Sequence, residues 1–112
     1  MIIRSLDAIP KSQAGDASLL KELLHPGRDP LSIRYSLAHA EVASGGKTLA
    51  HRLTGSEVYV ILEGRGRMHI GDEEAEVAAG QAVYIPPGQV QFIENTGTAR
   101  LAFLCIVDPA WT

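Results

Sequence analysis

A chain of 112 residues fits one domain around one core. Its apolar fraction of 46% and charged fraction of 21% are those of an ordinary globular protein, and no apolar run approaches the roughly 20 residues that span a bilayer. The formal charge of −3, with ten Lys and Arg spread from Arg4 to Arg100 without a cluster, gives no electrostatic basis for binding nucleic acid or an anionic membrane.

The first fifteen residues have no periodicity of their own. MIIRSLDAIPKSQ also lacks the apolar stretch and cleavage-site pattern of a secretion signal. Asp16 to His25 carries leucines at 19, 20, 23 and 24, a helical spacing behind an Asp cap, but the segment is short enough to be an edge strand instead. Ser32 to Val42 alternates, with Ile33, Tyr35, Leu37 and His39 on one side and Arg34, Ser36, Ala38 and Ala40 on the other. The apolar side, and His39 with it, is expected to face inward. A turn follows at Ala43-Ser44-Gly45-Gly46.

Glu57 to Glu63 is β-rich and apolar on both sides, Val58, Val60 and Leu62 opposing Glu57, Tyr59 and Ile61. Arg67 to Ile70 is a further strand, with His69 on its solvated side, and Gly71-Asp72 is a tight hairpin turn. The polar run Glu73 to Val77 suits a sheet edge, and Gln81 to Ile85 is extended. Pro86-Pro87-Gly88 must be a turn, since two prolines remove two ladder donors. Gln89 to Glu94 and Arg100 to Val107 are the last two strands, separated by Asn95-Thr96-Gly97. Turn signals about every ten residues mark an all-β sandwich or barrel. Cys105 shares a core-like face with Leu101, Phe103 and Val107. As the single cysteine it can form no intrachain disulfide, so a reducing cytoplasm is the expected compartment. Trp111 is expected to anchor the tail.

Two polar groups stand out in these surroundings: Gly45, His51, Glu57 and Gly64, then Gly80, Pro86, Gly88, Gln91 and Asn95. The stretches GGKTLAHRLTGSEVYVILEG (45–64) and GQAVYIPPGQVQFIEN (80–95) resemble the two signature motifs of the cupins, which are small double-stranded β-helix (jelly-roll) proteins. The spacings of eight positions match. The resemblance implies an all-β jelly-roll barrel in a single domain over 1–112, with 1–15 and 109–112 peripheral. It also implies a metal site of His and Glu ligands, and here the chain departs from the pattern. Leu53 stands at the second histidine of motif one and Gln91 at the histidine of motif two. The ligand set that remains is His51, Glu57 and Gln91, the last through its amide oxygen, a substitution that resembles the zinc site of cupin-type sugar-phosphate isomerases.

On an extended chain His51 and Leu53 point to one face, so Leu53 makes one wall of any pocket that His51 enters. Glu57 shares its face with Tyr59 and Ile61, where a carboxylate needs a metal, an imidazolium or a hydrogen-bond donor. An imidazole, a carboxylate and an amide oxygen suit Mn, Fe, Zn or Ni without selecting among them, and three protein ligands leave positions open for substrate. Tyr59 and Leu53 are candidate substrate contacts. Glu57 and His39 are candidate proton carriers, although His39 equally reads as a core histidine satisfied by a neighbour. Two functions follow. One is a divalent-metal enzyme acting on a sugar, a sugar phosphate or a small carboxylic acid, isomerase- or decarboxylase-like. The other is a non-catalytic small-ligand binder with a degenerate metal site. Because both faces of Glu57 to Glu63 are apolar, a homodimer is expected.

Overall fold

The structure is a computed structural model and describes residues 1–13 and 18–112. Among them a turn of 3-10 helix at Leu6–Ala8 precedes nine strands: β1 (Ser12–Gln13), β2 (Leu19–Leu24), β3 (Ser36–Val42), β4 (Ser56–Glu63), β5 (Arg65–Ile70), β6 (Glu73–Ala78), β7 (Ala82–Ile85), β8 (Gln91–Asn95) and β9 (Leu101–Asp108). They form two antiparallel sheets, one ordered β1-β2-β3-β9-β4-β7 and one ordered β6-β5-β8. The core lies between them. Tyr59, Ile61, Leu101 and Phe103 from the larger sheet meet Met68, Val77 and Ile93 from the smaller. Full burial of side chains this size is worth about 1.5–3 kcal/mol each, enough to make closure of the two sheets the dominant stabilising event. No helix among the described residues is long and apolar enough to cross a membrane.

The expected strands from Glu57 onward are all present, with boundaries shifted by at most two residues. β4 buries Glu57, Tyr59 and Ile61 and leaves Val58 and Val60 half-buried on the outer face. The β4–β5 connection needs glycine at position 64. There φ is +78°, and a Cβ would lie 2.5 Å from the Arg100 carbonyl oxygen. Asn95 is more than a turn former. It is buried, and its amide donates to the carbonyls of Val42 (2.9 Å) and Ala99 (2.8 Å) while accepting from Gly97 N–H (2.9 Å).

One open choice is decided and two expectations are corrected. Of the two readings of the leucine segment, Leu19–Leu24 is the strand, because β3 and β1 flank it and satisfy its backbone, whereas an isolated helix of that length is marginal. Asp16, the expected helix cap, lies outside the described residues. On β3 the inward residues are Ser36, Ala38, Ala40 and Val42, so His39 faces outward. The reason is volume. Ala40 pairs with Phe103 and Ala38 with Cys105, and the rings of Phe103 and Tyr59 pack at 4.4 Å, so the strand beside them must supply small side chains. His39 lies instead near Glu41, Lys21, Arg100 and Glu63, where burial foremost, and then the Arg100 charge, lower its pKa. Arg100 pairs with Glu41 and Glu63, and Lys11 reaches Glu41 at 2.6 Å. Finally, His69 is not solvated: it stacks on Phe92 at 4.1 Å, with Nε2 2.6 Å from Glu94 and Nδ1 3.2 Å from Glu74.

Candidate functional site: one cavity with a saturated wall and an open rim

The segment after the Gly45 turn runs antiparallel to β8. Asn95 N–H donates to the Gly46 carbonyl, Thr48 and Ile93 exchange backbone and hydroxyl bonds, and His51 and Gln91 exchange both backbone bonds at 3.0 and 2.8 Å. Directly opposed residues present their side chains to the same face, which brings His51 and Gln91 together from 40 positions apart. Glu57 and Tyr59 arrive from β4, in the other sheet.

The Gln91 side chain spans the gap between the sheets. Its Nε2 donates to Glu57 Oε1, and its Oε1 accepts from the Tyr59 hydroxyl at 3.1 Å. All three residues are at most 5% exposed. Each hydrogen bond has the donor and acceptor that its chemistry requires, since a carboxylate can only accept and a phenol donates readily. His51 Nδ1 lies 3.1 Å from the Leu49 carbonyl, which can only accept, so Nδ1 carries the proton and Nε2 is bare in the neutral ring.

His51, Leu53, Glu57 and Tyr59 line one cavity of about 590 Å³, within the range of small-molecule sites. Ser36, Ala38 and Cys105 complete the buried wall. Gln91 stands behind that wall, bonded to two of its members, and His39 is on the far side of the sheet. The rim was not foreseen as part of the site: Glu22, Arg28, Arg52 and Trp111 line it from four separate segments with no common spacing. Arg28 and Arg52 are exposed and make no side-chain hydrogen bond or ion pair among the described residues. Burial raises the Glu22 pKa, opposed in part by the Trp111 indole N–H at 3.3 Å and by the nearby His25 and Arg28.

The donor set does not meet what a divalent cation needs. Gln91 turns its nitrogen towards Glu57 and gives its oxygen to Tyr59, so the amide oxygen expected as a ligand is engaged elsewhere. Leu53 offers no lone pair. Among the described residues no three His, Cys, Asp or Glu side chains gather closely enough to hold an ion. His51 Nε2 and Glu57 are the donors that still face the cavity.

The model of the cupin domain matches residues 38–107. An uncharacterized protein from Methanocaldococcus jannaschii is 44% identical over 87% of this chain and 78% of its own length. A Thermotoga maritima protein named oxalate-binding protein is 28% identical over 96% of this chain and 93% of its own. A crystal structure described as a predicted oxalate decarboxylase, also from Thermotoga maritima, superposes with a TM-score of 0.85 over 97% of this chain and 99% of that one, at 22% identity. Many cupins bind metals, and the fold and both motif skeletons are shared here even where the ligands differ. The chain belongs to the cupin family, and its described residues form the β-barrel of its relatives.

Proposed function

We propose that this cupin binds a small organic anion, a mono- or dicarboxylate, in the barrel cavity, as a binding module rather than a metal enzyme. One observation carries the reading: the cavity's buried polar wall is already hydrogen-bonded, while its free polar capacity is cationic or hydrogen-bonding at the entrance. Among the described residues neither the Arg28 nor the Arg52 guanidinium makes a hydrogen bond or ion pair, although the Arg28 charge is felt by Glu22 and Asp29, and His51 Nε2 makes no hydrogen bond. Guanidinium groups match carboxylates in bidentate geometry, and Leu53 and Tyr59 supply apolar walls against which a small ligand packs. The relative named for oxalate binding supports oxalate as the first probe. A cytoplasmic setting accords with the lone thiol of Cys105.

Calorimetric titration of chelator-treated protein with oxalate and malonate tests the reading. It expects one site per chain for at least one of them, weakened about tenfold by Arg52→Ala, the loss of one charged hydrogen bond. Absence of binding by both acids overturns it. A divalent-metal enzyme acting on a sugar, a sugar phosphate or a small acid is the second reading, favoured by the bare His51 Nε2 and Glu57 facing one cavity. It requires Gln91 to turn its oxygen away from Tyr59. Stoichiometric metal in protein purified without chelator, lost in His51→Ala, would establish it over the first. We also propose a homodimer through the outer face of β4 and β7, where Tyr84 and Leu62 are 62% and 42% exposed beside half-buried Val58 and Val60. Sedimentation of a monomer at micromolar concentration overturns that pairing.

A further inference from the structure

The sole tryptophan of this sequence forms part of the cavity wall, and little holds it there. β9 ends at Asp108, and Ala110 N–H donates to the Arg34 carbonyl at 2.6 Å. Beyond that bond Trp111 is fixed by contacts with β2 and the turn that follows it. Its indole N–H donates to Glu22 Oε2 at 3.3 Å, its carbonyl accepts from His25 Nε2 at 2.8 Å, and the two rings meet edge to face at 4.8 Å. His25 Nδ1 accepts from Gly27 N–H at 3.0 Å, so this imidazole is held with its proton on Nε2.

Trp111 borders the cavity yet is 43% exposed, so the wall is one side chain thick. This arrangement also leaves Glu22 Oε1 shielded from solvent with no hydrogen-bond partner among the described residues. An unsatisfied buried oxygen opposes closure, and Trp111 lies outside the hydrophobic core, which is the profile of a segment that opens locally without unfolding the barrel.

We propose that residues 110–112 are a movable gate over the cavity mouth, with Trp111 as its panel and Glu22 and His25 as the positioning residues that keep it shut. The idea rests on the cavity being a binding site, but its test needs no ligand. Trp111 fluorescence and the Cys105 thiol, which lines the cavity, report on the two sides of the gate. In the full chain, His25→Ala and Glu22→Leu should each raise the acrylamide quenching constant of Trp111 about twofold, and Ellman's reagent should reach Cys105 about fivefold faster. Glu22→Gln keeps an acceptor for the indole N–H and should leave both the quenching constant and the thiol rate at the values of the unaltered protein. Circular dichroism melts verify folding, and if His25→Ala does not fold, Glu22→Leu carries the same test. Unchanged quenching and thiol reactivity in a folded variant overturn the gate, as does a quenching constant in the unaltered protein equal to that of N-acetyltryptophanamide. Failure of oxalate and malonate to bind would sink the carboxylate reading and leave these outcomes untouched.

Discussion

The buried wall and the exposed rim of the cavity are built from different parts of the chain and have opposite chemical states. At the wall, motif positions Glu57 and Gln91 join Tyr59 in a hydrogen-bonded set with complementary donors and acceptors. At the rim, residues outside the motif positions hold unused capacity: among the described residues the Arg28 and Arg52 guanidinium groups make no hydrogen bond or ion pair. A polar set that is already satisfied stabilises and orients, whereas unsatisfied groups are available to a ligand. The difference separates holding the barrel together from recognising what enters it.

Substitution can break that division or sharpen it. The largest effect belongs to the wall. Gln91→Leu strips the buried Glu57 carboxylate of a donor and Tyr59 of its acceptor, and should cost about 3 kcal/mol in urea unfolding. Adding Glu57→Leu should recover much of that loss, because two apolar groups leave no stranded charge between the sheets. A Gln91→Leu protein as stable as the original would mean that the wall is not saturated.

A smaller effect, of opposite sign, is expected at Glu22. Its pKa is raised in the fold by burial, so between the ordinary carboxylate range and that raised value the folded chain binds more protons than the unfolded one, and stability falls as pH rises. Glu22→Gln removes the penalty. It should be neutral at acid pH and stabilising at pH values above the raised pKa, by less than the wall substitution costs, measured as a pH series of thermal midpoints. The smallest effect is at Arg52, where Ala should change stability by no more than about 0.5 kcal/mol while weakening carboxylate binding.

The wall was legible in the sequence and the rim was not. Gly64 reads as a turn because its backbone requires a conformation that other residues resist, and Glu57 and Tyr59 announce their common face through strand alternation. Periodicity alone failed to choose where two patterns overlap. The leucines of 19–24 satisfy helical spacing, and pairing with β3 decides against it. It failed again where the lumen takes the small face of a strand: Ser36, Ala38 and Ala40 face inward because the rings of Tyr59 and Phe103 already fill the space, which sent His39 to the outside. Glu22, Arg28, Arg52 and Trp111 become neighbours when the sheets close, and nothing in their positions along the chain encodes that meeting.

The place of β9 in the larger sheet has a consequence for synthesis. The strand formed by 101–108 lies between β3 and β4, so on a ribosome neither of those strands has its central partner until residue 108 has cleared the exit tunnel. Until then β2 and β7 can cover only one edge each of β3 and β4, and the other edge of both strands stays unpaired, the condition under which β proteins aggregate or recruit chaperones. Emergence of β9, rather than of β3 or β4, is therefore the step at which the larger sheet can close.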